Sequence, residues 1–316
     1  MAPLKSIAFI ILVSLLNPGG DAGAWKKLTD MPTARLGLTT TALDGKIYAI
    51  GGYPVANSPG LTTVEVYDPQ KDTWQTAAPM PTGRRQHSAC VVDGKIYVMG
   101  GYTNYGQPGL SVNEMYDPDT DSWTKKADMP IPRLGLATCE MDGKIYAIGG
   151  AARVPEPLQT VEVYDPVSDT WERKADMPTA RYLFSAFKFD GKIYAIGGSF
   201  GSPYDIVKVV EVYDPATDSW TGKTTIPDTW AMFGCSACRI ENRIFMLGGG
   251  SGMDPGSAVA VYDPAADVWS LHSSIPEPRI APCCCMENQI FMIGGALTTR
   301  PPHPSVQTAE VFIPGE

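Results

Sequence analysis

The residues best placed to do chemistry stand together at Arg84-Arg85-Gln86-His87. A guanidinium, a carboxamide and an imidazole side by side can grip an anionic or hydroxylated ligand and move a proton. At two other places the chain writes the same position as Arg-Leu-Gly-Leu, residues 35–38 and 133–136, so polar groups here replace apolar or small ones. Only two further histidines exist, His272 and His303. Cysteine supplies a second cluster: Cys90, Cys139, Cys235, Cys238, Cys283, Cys284 and Cys285. Cys235-x-x-Cys238 has the spacing of half a zinc or redox motif, but no second well-spaced pair completes it. The acidic run Asp117-Pro118-Asp119-Thr120-Asp121 lacks the central glycine and closing bidentate glutamate of a calcium loop, and reads as a turn. No Gly-x-Ser-x-Gly elbow, His-Glu-x-x-His pair or phosphate-cradling glycine loop appears. No metal and no cofactor is expected.

The elements that must position these groups are repeats. Glycine pairs fall at 51–52, 100–101, 149–150, 197–198, 248–249 and 294–295, and Trp25, Trp74, Trp123, Trp171, Trp220 and Trp269 keep the same beat. Within each unit a short strand a of small and β-branched residues meets a tight turn. That turn is Asp44-Gly45 in the first unit, and Asp93-Gly94, Asp142-Gly143, Asp190-Gly191, Glu241-Asn242 and Glu287-Asn288 in the others. Strand b, such as Lys-Ile-Tyr-Ala-Ile-Gly-Gly, is apolar on both parities, as a strand covered on both faces should be. After a variable loop come strand c, Val-Glu-Val-Tyr-Asp-Pro, a turn, and strand d led by the tryptophan. Four antiparallel strands and no helix make one propeller blade. Because the tyrosines and tryptophans recur in every unit, they are expected to pack blades together rather than to bind sugars.

A repeat of about 50 residues with a glycine pair, an aromatic and a tryptophan resembles the kelch-repeat family, from Trp25 to Phe312. The expected fold is an all-β, six-bladed kelch β-propeller. Its blades are expected at about 33–80, 81–129, 130–177, 178–226, 227–275 and 276–313, with residues 25–30 completing the last blade and closing the ring. The resemblance also admits enzymes. Copper-dependent sugar oxidases of the family need a His and Tyr ligand set that cannot be assembled here, whereas six-bladed periplasmic sialic-acid mutarotases need little more than a carboxylate or His near an Arg. Adaptors of ubiquitin ligases carry helical domains ahead of the propeller and do not fit an exported chain.

Export is read from residues 1–24: Lys5, an apolar run Ser6–Leu16 too short to span a bilayer, helix breakers, then Ala22-Gly23-Ala24. The mature protein is expected to start at about Trp25, without membrane insertion, and to be secreted, periplasmic or extracellular. A net charge of −9 excludes a nucleic-acid partner, which needs a basic stripe.

Departures from the repeat are informative because the copies are internal. Arg35, Arg84, Arg133, Arg181 and Arg279 open five units, and Glu65, Glu114, Glu162, Glu211 and Glu310 stand in their strands c. The fifth unit has Trp230 and Ala260 instead, so one partner is missing wherever the other is. A buried Arg–Glu pair in each of the other five units is the expected cause. Strand alternation turns Cys235 and Cys238 to opposite faces, so any disulfide should join one of them to Cys283, Cys284 or Cys285 of the neighbouring blade.

Alternating strand direction sends the short a–b and c–d turns to one face and the variable b–c and d–a loops to the other. Function usually lives on variable loops held by a rigid scaffold. The ligand, a protein, a glycan or a small molecule, is therefore expected on the second face around the axial mouth. The expected contacts are Arg85 and His87 with Gln86, and Tyr53, Asn57, Tyr102, Asn104, Tyr105, Arg153, Tyr204 and Arg300 on the rim. Two functions fit this reading: an exported binding module, or a sugar isomerase resembling the mutarotases.

Overall fold

The computed structural model describes residues 23–201, 205–228, 234, 236–251, 254–297 and 305–314. The charged and apolar parts of the expected export signal lie outside them, as do Trp230, Cys235 and His303. Six four-stranded antiparallel sheets form a ring, and no α-helix occurs among the described residues. In the first blade strands a to d are Thr39–Leu43, Lys46–Ile50, Val64–Asp68 and Thr73–Ala77. Strand a is innermost, and the inner strands of successive blades pack side by side around the axis, the sixth returning to the first. The sixth sheet combines Cys283–Met286, Gln289–Ile293 and Ala309–Ile313 with Ala24–Lys27, which sets Trp25 opposite Phe312.

Local chemistry explains the regularity. Asp44 and Gly45 both take positive φ, 50° and 69°, as the two-residue hairpin requires. Strand b is buried along its length because blades cover both its faces, and Ile47, Ala49 and Ile50 are wholly inaccessible. The repeated aromatics join neighbouring blades. Trp123 donates from Nε1 to the Ala78 carbonyl at 2.9 Å, while Asp121 accepts from the Ala78 N–H at 2.8 Å and from the Tyr116 hydroxyl at 2.7 Å. The same three bonds recur at Trp74, Trp171 and Trp220 with Asp72, Asp169 and Asp218. The backbone N–H of Ala78 and then the Tyr116 hydroxyl hold the Asp121 carboxyl below its ordinary range. Its negative charge belongs to this network, and the acidic run is a turn.

The five Arg–Glu pairs form. Arg35 meets Glu65 at 3.1 Å, Arg133 meets Glu162 at 2.5 Å, Arg181 meets Glu211 at 2.6 Å, Arg279 meets Glu310 at 2.8 Å, and Arg84 pairs with Glu114. All five guanidinium groups are inaccessible to solvent. Each clamps the connection entering a blade to strand c of that blade. The fifth blade, with Ala260 in place of the carboxylate, shows no such clamp among the described residues.

Candidate functional site at the axial mouth

A belt of backbone hydrogen bonds frames the mouth. The N–H of Gln86 donates to the Gly37 carbonyl, Gly135 to Gln86, Leu183 to Gly135 and Gly234 to Leu183, at 2.7–3.2 Å. Every member has positive φ, between 51° and 64°. Gly37 and Gly135 adopt this at no steric cost, but Gln86 and Leu183 are held there against their preference. The belt fixes the backbone on either side of Gln86, and so aims Arg85 and His87.

Arg85 and Tyr102 face each other across a pair of backbone bonds, 3.1 and 3.0 Å, at the end of the second blade. Leu36 and Tyr53 do the same in the first blade. This register brings two tyrosine rings against one guanidinium, whose carbon lies 4.1 Å from the Tyr53 centroid and 4.6 Å from that of Tyr102. Tyr105 approaches at 5.9 Å from the loop above and is 73% exposed. Arg85 itself is 1% exposed, and its Nε and Nη2 have no hydrogen-bond partner. Unlike the five clamped arginines, it faces no carboxylate within ion-pair distance among the described residues. Burial pushes the phenols of Tyr53 and Tyr102 up, Tyr102 to about 12, with Arg85 pulling the other way. Both stay protonated as donors.

His87 is buried beside the Gly51 backbone, and a Cβ added at Gly51 would lie 2.6 Å from the imidazole Cε1. Neither ring nitrogen makes a hydrogen bond. Burial, with Arg84 and Arg35 nearby, pushes its pKa down to about 3, so the ring is neutral at physiological pH.

These residues open onto an axial cavity of about 1120 Å³. Arg85, Gln86, His87, Tyr53 and Tyr102 line its wall, and Asn57, Tyr105 and Arg153 its rim. Asn104 does not line it; this residue is exposed, and its carbonyl closes a loop turn with the N–H of Gln107 at 3.1 Å. Tyr204 and Arg300 lie outside the described residues. Sequence reasoning missed Glu156, the one carboxylate lining the cavity among the described residues, and Tyr182, whose hydroxyl bonds the Gly201 carbonyl at 3.0 Å. The tyrosine cage had a sequence signal. The residue following the glycine pair is tyrosine only at 53 and 102, the two positions that flank the single odd arginine.

Six blades around an axial pocket define a propeller of the kelch class. The family profile described as the KLHDC2/KLHL20/DRC7 Kelch-repeats domain matches residues 21–150 and 115–295, and the chain belongs to this kelch-repeat family. No curated protein sequence matches the chain. Among solved structures, that of YjhT is similar in fold, with a TM-score of 0.78 over 89% of this chain and 95% of the other, at 17% sequence identity.

Proposed function

We propose that this protein is an exported binding module whose axial pocket takes an anionic, hydroxylated ligand through Arg85. The observation that carries the reading is the tyrosine-caged guanidinium of Arg85, a residue of the cavity wall whose Nε and Nη2 are unpartnered and enclosed against the rings of Tyr53 and Tyr102. An unmet buried donor costs about 1–3 kcal/mol, more for a charged group, and a ligand carboxylate returning that cost gains affinity from it. The tyrosine hydroxyls supply donors and acceptors for hydroxyl groups. Export is inferred from the first 24 residues and agrees with a ligand met outside the cytoplasm.

The test is a thermal-shift panel that sets uronic acids against their neutral parent sugars. Only the acids are expected to raise the melting midpoint, and Asp44→Ala on the opposite face should leave that response intact. The response should be flat from pH 5 to 8, because His87 is neutral throughout. Equal shifts with acid and neutral sugars, or loss of the response in Asp44→Ala, would overturn the reading.

A second reading, sugar isomerisation, is favoured by Glu156, a carboxylate sharing the cavity with Arg85. Proton transfer to and from a ring hemiacetal needs such a group. Anomerically pure sugars followed by NMR separate the two: interconversion faster than buffer, lost in Glu156→Gln, marks an enzyme.

A further inference from the structure

The inner strands Ser236–Ile240 of the fifth blade and Cys283–Met286 of the sixth run side by side. Across that seam the sulfurs of Cys238 and Cys283 stand 3.4 Å apart as unbonded thiols. A disulfide needs about 2.05 Å, so a small rotation about each Cα–Cβ bond brings the sulfurs together. The two thiols differ in access. Cys283 lines the axial cavity and is half-buried, whereas Cys238 is enclosed with Ile290 and Met292. Cys284 points the other way, into the core shared with the first blade, and is out of play. Cys285 is the competitor, since it shares a face with Cys283 and also reaches Cys238.

We propose that Cys238 and Cys283 form an interblade disulfide when the protein meets a small disulfide oxidant. The Cys283 thiolate, reached through the cavity, attacks one sulfur of the oxidant, breaks its S–S bond and releases one thiolate. Cys238 then gives its proton to solvent base and attacks the Cys283 sulfur, releasing the second thiolate. Two protein thiols lose two electrons and two protons, and the oxidant becomes two thiols. Burial and the neighbouring Cys283 thiol hold Cys238 well above the ordinary thiol range, which makes it the resolving partner rather than the attacking one. The bond would tie the fifth blade to the sixth, and the fifth is the blade without an ionic clamp. This proposal stands apart from the identity of the pocket's ligand.

The test equilibrates the intact protein in glutathione buffers of graded poise, blocks free thiols, digests without reduction and maps linked peptides by mass spectrometry. A Cys238–Cys283 link is expected to accumulate as oxidised glutathione rises. The melting midpoint should climb by about 5–10 °C, as closing a loop of this length predicts. Cys285→Ser should keep both effects, and Cys283→Ser should lose both. The wild-type peptide map decides the matter alone if Cys283→Ser fails to fold. A Cys238–Cys285 link, a glutathione adduct resting on Cys283, or free thiols at full oxidant would each overturn the proposal.

Discussion

Glu162→Ala is expected to destabilise the protein by about 3–5 kcal/mol, because it strands a buried positive charge. Arg133 is inaccessible, and besides Glu162 it reaches the carbonyls of Gly149 and Thr160 at 3.0 Å each. Those carbonyls satisfy N–H groups but do not neutralise the ion. Burial pulls Arg133 down and pushes Glu162 up, each against the attraction of the other, so both ions are held at a cost. The pair should therefore add little net stability over an apolar replacement, while its half-removal is severe. Arg133→Met with Glu162→Leu is expected to lose less than either single alanine change. Urea unfolding midpoints of the three variants check this. A double variant as unstable as Glu162→Ala would mean that lost packing, not the stranded charge, sets the damage.

Arg85→Leu should do two things at once: remove anion binding and make the ligand-free protein more stable. Leucine is what the first and third blades carry at the equivalent positions, Leu36 and Leu134. The guanidinium pays for two unmet donors, and its contacts with Tyr53 and Tyr102 return about 0.5–2 kcal/mol of that. A net gain of about 1 kcal/mol would raise the melting midpoint by about 1–2 °C in a propeller of this size. Affinity for an acidic ligand should fall at least about 100-fold, the loss of two charge-assisted hydrogen bonds. Calorimetry of the variant with and without ligand reads both effects. If Arg85→Leu unfolds several degrees earlier than the parent, the guanidinium is a structural cation and the pocket reading fails.

Much of this was legible in the chain because the repeats act as one another's controls. The joint loss of Arg and Glu at Trp230 and Ala260 exposed the five clamps, and loop variability separated the two faces. Residue parity barred a Cys235–Cys238 pair and pointed across the seam to the neighbouring blade. It left Cys283, Cys284 and Cys285 equally open, and only the 3.4 Å approach of the sulfurs picks out Cys238 and Cys283. What stayed hidden depends on distance across blades. Nothing in the order of residues says that Tyr53 of one blade covers Arg85 of the next, or that this arginine is buried rather than displayed. The left-handed belt was masked because Gln86 and Leu183 stand where the other described members are glycine. Asn104 was grouped with the rim because its loop is there, but a turn within that loop takes it off the cavity wall.

The fifth blade gives the ring a grain. It lacks the ionic clamp among the described residues, and the tryptophans at its two seams, Trp269 and Trp25, are the two strand-d tryptophans whose Nε1 finds no acceptor among the described residues. A closed ring with five tightly fastened sectors and one loosely fastened sector should not melt evenly. Sub-global opening should start at that sector, and amide exchange along Ala258–Asp263 should outpace that of the matching strand Val161–Asp165. Such an opening would lend the propeller a hinge, letting a rigid toroid breathe on one side while its mouth over the first three blades keeps its shape.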